Sequence, residues 1–245
     1  EVENGDAVSA TDKNINIDTT KAKLELKGAT GINAEGANVT VKGSTEISGN
    51  VGINAENGKV TLNGSTNISG TDAAINAGEG ANVDINTNNS ALNIKGDINA
   101  NGGSITVDSG KATGTITGDI NAANGGSVAI NLTEKNSALT GGYNVDGTSS
   151  IKMNLANGAT WHLTDGEEAA GMSLLRMAKA PAAAPAAGLT VNGGATKAET
   201  GYIDMTKRTQ AQIQHQKHRN GQQCRRQGGL VFVHCTSLLK LSGYK

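Results

Sequence analysis

Two groups of residues in this 245-residue chain have types and spacing that bear on chemistry. The first is acidic: Asp97 and Asp119 stand one repeat apart, with Asp84 and Asp108 scattered nearby. Two carboxylates brought together could exchange a proton with a substrate or hold a cation. An Asp that directly follows a Gly, as both do (Gly96, Gly118), also has a plainer role, capping a backbone corner while staying solvated. The second group lies in residues 207–245, where His215-x-x-His218 with Cys224, His234 and Cys235 offers imidazole and thiolate to zinc. That spacing matches no compact finger. Eight Lys and Arg in the same stretch would attract a phosphate backbone, yet no recognition motif accompanies them. Gly102-Gly103-Ser104-Ile105 begins like the calcium-binding Gly-Gly-x-Gly-x-Asp nonapeptide and goes no further. His162, beside the single Trp161, reads as a strand residue near a capping aromatic. No catalytic, cofactor or metal residue is assigned, and neither a cofactor nor a nucleic-acid partner is expected.

Composition narrows what could position such groups. The chain is 36% hydrophobic but only 2% aromatic, with 34 Gly and 27 Asn. Aromatic side chains normally supply the largest burial terms, so a compact mixed α/β enzyme is disfavoured and burial must come from many small aliphatics. No stretch has the roughly 18 apolar residues of a membrane helix, and Glu1-Val2-Glu3-Asn4 has no signal-peptide character. An exported form would therefore have had its signal removed. The formal charge of −1 hides a break: residues 1–206 hold all 22 acids with thirteen Lys and Arg and no Cys, whereas 207–245 hold no acid, both Cys and three of the four His.

A repeat governs the acidic region. Ile-Asn-Ala recurs at Ile32-Asn33-Ala34, Ile53-Asn54-Ala55, Ile75-Asn76-Ala77, Ile98-Asn99-Ala100 and Ile120-Asn121-Ala122, in steps of 21 to 23 residues. Apolar pairs flanking one polar residue run in phase: Val39/Val41, Val60/Leu62, Val83/Ile85, Ile105/Val107, Val128/Ile130 and Ile151/Met153. A third series, Ile47-Ser48-Gly49, Ile68-Ser69-Gly70, Ile94-Lys95-Gly96 and Ile116-Thr117-Gly118, absorbs a three-residue insertion near Asn88. Each unit thus holds three short, β-branched, alternating segments divided by turn residues, which is strand chemistry.

A strand of three or four residues cannot bury its apolar face alone. Stacking the units sets every Ile or Val above its counterpart at about 4.8 Å, with backbone hydrogen bonds running between units. The predicted fold is all-β: a right-handed parallel β-helix with three strands per coil of about 22 residues. About seven coils, from Ile15/Ile17 to Ile151/Met153, would make a rod roughly 30–35 Å long. Asn33, Asn54, Asn76, Asn99 and Asn121 are assigned a structural ladder: Asn tolerates the left-handed backbone of a tight corner, and stacked amides can bond to one another. Gly49, Gly70, Gly96 and Gly118 are expected at corners with positive φ. Exposed strand edges at the ends template aggregation, and the charged, irregular residues 1–12 are expected to cover one end.

The segment from Ser149 through Asn157-Gly158-Ala159-Thr160-Trp161 to Thr164, on top of the period, resembles the late passenger region of bacterial autotransporters of the pertactin-like type. The likeness covers roughly residues 13–165. Leu189-Thr190-Val191-Asn192-Gly193-Gly194 and Gly201-Tyr202-Ile203-Asp204-Met205-Thr206 look like the strand–turn–strand elements that follow in such passengers. The absence of Cys from 1–206 suits the oxidising periplasm that the resemblance implies. Two features depart from the family. Residues 167–187 give a short helix-prone run (172–178) and an Ala/Pro linker, and the membrane barrel's amphipathic strands have no counterpart in 207–245.

The expected organisation is a cap or linker at 1–12, coils at 13–165, a linker with a short helix at 166–188, residual passenger strands at 189–206, and a basic tail at 207–245. The tail reads as a translated frameshift or truncated gene end and is expected to be poorly ordered. The function that the resemblance implies is a non-enzymatic structural or adhesive passenger fragment, extracellular or on the bacterial surface, monomeric, meeting host surface glycans or matrix proteins. The alternative is a pectin-lyase-like β-helix that cleaves or binds acidic polysaccharide. Such enzymes cluster Asp, Lys and Arg on one sheet beside aromatics, whereas here the acids are scattered and no Arg precedes Arg176. A trimeric or filamentous-haemagglutinin-like adhesin shares the composition, but the single-chain period argues against the trimeric type.

Overall fold

Valine and isoleucine at alternate positions favour extended backbone and stand on one side of it, so a segment such as Asn38-Val39-Thr40-Val41-Lys42 has one apolar row to bury and one polar row to leave in water. In the computed structural model every such row turns inward and meets the equivalent row of the next unit. The structure describes residues 2, 4–163, 188–193 and 202–204, all within the unit Glu1–Asp204. The expected linker helix at 172–178, the tail at 207–245 and its His and Cys residues lie outside the described residues.

The described residues form strands and no helix. The chain opens with β1 (Asp6–Thr11), β2 (Ile15–Lys27) and β3 (Thr30–Glu35). It continues through β4 (Asn38–Glu56), β5 (Lys59–Asn63), β6 (Thr66–Ala77), β7 (Asn82–Asn86), β8 (Leu92–Lys95) and β9 (Ile98–Asn101). Next come β10 (Ser104–Asp108), β11 (Gly114–Thr117), β12 (Ile120–Ala123), β13 (Ser127–Leu132), β14 (Ala138–Gly141) and β15 (Tyr143–Val145). The series ends with β16 (Ser150–Leu155), β17 (Thr160–Leu163), β18 (Gly188–Gly193) and β19 (Tyr202–Asp204). All pairings are parallel; through β17 they join each segment to the one about 22 residues on, as in Val60 with Val83, Ile94 with Ile116 and Ile98 with Ile120, whereas β16 with β18 and β17 with β19 join residues 38 and 42 positions apart, as in Ile151 with Leu189 and Thr160 with Tyr202. The result is a parallel β-solenoid of about seven turns with three faces. The first face holds the Val39/Val41 series, the second the Ile47 series and the third the Ile-Asn-Ala series.

Four columns of larger aliphatics fill the interior, two from the first face (the Val39 and Val41 series) and one each from the second (Ile47) and third (Ile53). Val39, Ile47, Ile53, Ile75, Ile98 and Ile116 are among the residues with no exposed surface. Each stacked Ile or Val contributes about 1.5–3 kcal/mol on burial, so the sum over some twenty columnar residues replaces the missing aromatic core. The interior changes character only late. Tyr143 takes the place of Ile120 in the third-face column and Trp161 the place of Leu139 in the second. Their rings meet edge to face with centroids 5.6 Å apart, and the buried indole N–H donates to the Gly141 carbonyl at 3.0 Å. The Trp of the Asn-Gly-Ala-Thr-Trp segment is thus an interior residue, 1% exposed, with its one polar atom satisfied.

Corners separate the faces, and they differ from the expectation in two ways. Gly96 (φ 117°) and Gly118 (φ 144°) do have left-handed backbone. A Cβ on Gly118 would also lie 2.2 Å from the Gly96 carbonyl oxygen. Gly49 and Gly70, by contrast, are not among the positive-φ residues. Glycine is required there by close approach, since a Cβ on Gly70 would sit 1.7 Å from the Ala73 oxygen. The ladder residues Asn33, Asn54, Asn76, Asn99 and Asn121 lie inside strands and likewise have no positive φ. The left-handed asparagines are Asn57, Asn88, Asn89, Asn124, Asn136 and Asn157, all in turns. The two jobs assigned to one Asn are divided between two sets, because amides stack best where the strand register holds them opposite one another.

The N-terminal end also departs from an irregular cap. Residues 6–11 form β1, which pairs with β3 from Asp6/Thr30 to Thr11/Glu35 and so adds one strand to the third face only. Among the described residues β2 is paired on one side, with β4. Thr20, Lys21 and Ala22 bulge out of that pairing between Thr19 and Lys23.

Candidate functional site

With the apolar rows turned inward, the groups able to do chemistry are those that the pleat turns outward or the corners hold. On the third face each Ile-Asn-Ala strand buries its Ile and Ala and leaves Asn half-buried at the surface. The amides then bond up the column. Asn54 Nδ2 donates to Asn33 Oδ1 at 3.0 Å, Asn99 to Asn76 at 2.9 Å, and Asn121 to Asn99 at 2.8 Å. Asn33 in turn donates to an Asp6 carboxylate oxygen at 3.0 Å. Register carries the column one step further, to Asn144 opposite Asn121. Sequence reasoning missed that member because Tyr143-Asn144-Val145 breaks the Ile-Asn-Ala spelling; its distance of 23 residues from Asn121 was the available signal. A second, shorter set of rungs joins Asn93 to Asn67 at 2.9 Å and Asn124 to Asn101 at 2.6 Å.

Asp97 and Asp119 come together one coil apart at the corner before the third face. Each carboxylate has one oxygen engaged by a backbone N–H. Asp97 Oδ1 accepts the Asp119 backbone N–H at 2.9 Å, and Asp119 Oδ1 accepts the Gly142 N–H at 2.6 Å. Each acid caps the corner of the next coil, so use as a base would compete with a backbone bond. Asp108 accepts the Gly110 N–H at 2.8 Å in a local turn of the same kind, and Asp84 occupies an outward position of β7.

The most perturbed acid is one that the sequence did not single out. Asp146 is held well below the usual carboxylate range, first by the Ser149 hydroxyl and then by the N–H groups of Asn124 and Thr148 and the Thr148 hydroxyl. The N–H bonds measure 2.7 Å from Asn124 and 2.9 Å from Thr148. Its anion fastens the turn after β15 to the turn after β12, again a structural use. Asp18 is lowered by the Thr20 N–H and hydroxyl, in an exposed turn. Beside it, Lys23 bonds Glu46 and Glu25, the latter at 3.1 Å. Those bonds raise the lysine and lower Glu46, but exposed pairs of this kind add little to stability.

The longer corners between first and second faces hold a feature that no periodic pattern announced. Thr87, Ser109 and Ser137 are buried hydroxyls. Thr87 Oγ1 donates to the Ser109 carbonyl at 3.0 Å and Ser109 Oγ to the Asn131 carbonyl at 3.4 Å. Ser137 Oγ accepts the Gly114 N–H at 3.0 Å. No buried side-chain polar atom among the described residues lacks a partner. His162 lies on β17 next to the Thr160 hydroxyl, 3.2 Å from Nε2.

Among the described residues no three His, Cys, Asp or Glu gather as a metal group, and no helix is long and apolar enough to cross a membrane. What the outer faces can do is display. Amides and hydroxyls recur at the strand spacing of about 4.8 Å, a periodic set of donors and acceptors suited to an extended polar ligand. Compared with family models, curated proteins and solved structures, the chain matches none.

Proposed function

We propose that this chain is a non-enzymatic passenger segment of an autotransporter-like bacterial protein, extracellular or on the cell surface, where its solenoid serves as a stalk and as an adhesive face toward host glycans or matrix proteins. The observation that carries this reading is the column of polar side chains kept in register on the third face, hydrogen-bonded from Asp6 through Asn33 to Asn54 and again from Asn76 through Asn99 to Asn121, laid over a largely aliphatic interior. A regular array of neutral amides favours many weak, repeated contacts over one deep site. The corner roles of Asp97 and Asp119 also favour it over the polysaccharide-cleaving alternative, since those carboxylates are engaged by backbone N–H groups.

The test is the 245-residue chain on a glycan and matrix-protein array, run with a lyase assay on polygalacturonate. Saturable binding to one array class, weakened by Asn76→Ala and Asn99→Ala together while the circular dichroism spectrum holds, is the expected result. Release of unsaturated uronate, or binding indifferent to the amide ladder, would overturn it.

A further inference from the structure

Charge is shared unequally among the three faces. Among the described residues no strand of the third face carries Lys or Arg, whether in β1, β3, β9, β12 and β15 or in the stretches 51–56 of β4 and 73–77 of β6. Exposed lysines stand on the other two faces, Lys42 and Lys152 on the first and Lys27 and Lys95 on the second. The third face holds carboxylates instead. Glu35 and Glu56 follow Asn33 and Asn54 by two residues, so the pleat turns them the same way as the amides, exposed and in register with each other. Asp97 and Asp119 precede Asn99 and Asn121 by two residues on the opposite flank, each half-buried with one oxygen engaged by a backbone N–H. The amides between these flanks keep capacity to spare. Asn99 gives one N–H to Asn76 and receives one from Asn121, which leaves a second N–H and a second lone pair unused. Val2 is the only large hydrophobic side chain exposed among the described residues, so the face offers a protein partner no apolar anchor of the kind that carries binding energy at interfaces.

We propose that the third face binds a linear, uncharged glycan laid along the solenoid axis, and that its flanking carboxylates reject acidic glycans. This names the ligand class of the adhesive face and rests on that reading. The amides stand at one per coil, about 4.8 Å apart, and an extended 1,4-β-linked chain advances by nearly that step with each sugar, so successive hydroxyl or acetamide groups meet successive amides. A chain crossing the face would meet one rung only. Each contact is weak, and the gain comes from repetition along one chain. A uronate or sulfate group seated on the amides would lie beside Glu35 and Glu56 or beside Asp97 and Asp119, where like charges are brought together. A neutral sugar meets no such opposition, since its hydroxyls can donate to the same carboxylates.

The experiment uses the whole 245-residue chain. Calorimetric titration with 1,4-β-linked N-acetylglucosamine oligomers, from the disaccharide to the hexasaccharide, should show Kd falling by about threefold or more with each added sugar. Hexagalacturonate should not bind. Asn76→Ala together with Asn99→Ala should weaken the hexasaccharide by about tenfold or more and abolish the dependence on length, with an unchanged circular dichroism spectrum. Because those amides also brace one another, a second variant keeps the test independent of the fold. Glu35→Lys together with Glu56→Lys, at exposed positions, should leave the neutral hexasaccharide within about twofold and make hexagalacturonate bind. Affinity that ignores length, hexagalacturonate bound as tightly as the neutral chain, or a Glu35/Glu56 variant that still refuses hexagalacturonate would each overturn the proposal, while a positive array result would keep the adhesive reading. Binding to no array class would remove both.

Discussion

The third face and the corner between the first and second faces both carry Asn and obey opposite rules. On the third face the Ile, Asn and Ala positions keep one register from β3 to β12, and even the change to Tyr143-Asn144-Val145 keeps the stacking. The corner is short at Gly43 and Gly64 but widens to the Thr87–Ala91 stretch and its successors. The difference lies in where the neighbours are. A side chain in a column has one partner above and one below, so a slip of one residue turns its whole row from core to solvent. A corner has only its own turn chemistry to satisfy, plus a buried hydroxyl such as Thr87 or Ser109 that bonds to the coil next to it. Insertions collect there for that reason.

Substitutions on each side of this contrast can break it. Ile75→Asp places an unpaired carboxylate at a position with no exposed surface and is expected to cost more than about 4 kcal/mol, a large part of a domain's stability. Asn88→Asp, in the exposed corner and at a left-handed φ of 49° that Asp tolerates, should stay within about 0.5 kcal/mol. Equal urea midpoints for these two would mean that the columns do not bear the fold.

Glycine corners sharpen the point. Gly118→Ala meets both a left-handed φ and the Gly96 carbonyl at 2.2 Å, for a loss of about 2–3 kcal/mol. Gly125→Ala has φ 81° with nothing within 4 Å of the added Cβ and should lose only about 1 kcal/mol. Midpoints that fall in the reverse order would show that stacking does not crowd the Gly118 corner.

The amide ladder comes next. Asn99→Ala removes bonds to both Asn76 and Asn121 and is expected to cost about 1–2 kcal/mol by thermal or urea unfolding. A cost as small as that of Asn88→Asp would reduce the ladder to decoration. The smallest effect belongs to Asp146. The hydrogen bonds from Ser149, Asn124 and Thr148 hold its folded carboxyl below the usual carboxylate range, so its contribution is full above the ordinary carboxylate value and is lost as pH falls toward the lower folded one. The gap in urea midpoint between the wild type and Asp146→Ala should therefore narrow as the pH is taken from about 6 to about 3. A gap that widens on acidification would contradict the hydrogen bonds assigned to this anion.

Much of this molecule was legible from spacing. Period-2 alternation repeated about every 22 residues leaves few ways to bury Val39/Val41 and Ile32, and stacking in register is the one that satisfies backbone and side chains together. The five-membered Asn column and the corner placement of Asp97 and Asp119 follow from the same count. Other features lay below that level. Whether a glycine such as Gly70 answers to φ or to a neighbouring carbonyl depends on how close the next strand comes. Asn144 joined the ladder only once register, rather than spelling, decided its neighbour.

Periodicity along the chain, then, determined the strands, the faces and the partner of each column, because those depend on residue types at fixed separations. Tertiary structure alone decided which polar groups are engaged and by whom. A carboxylate such as Asp119 or Asp146 reads the same in sequence whether it caps a backbone N–H or faces water, and its bonds to Gly142 and Asn124 join residues 22 or more positions apart.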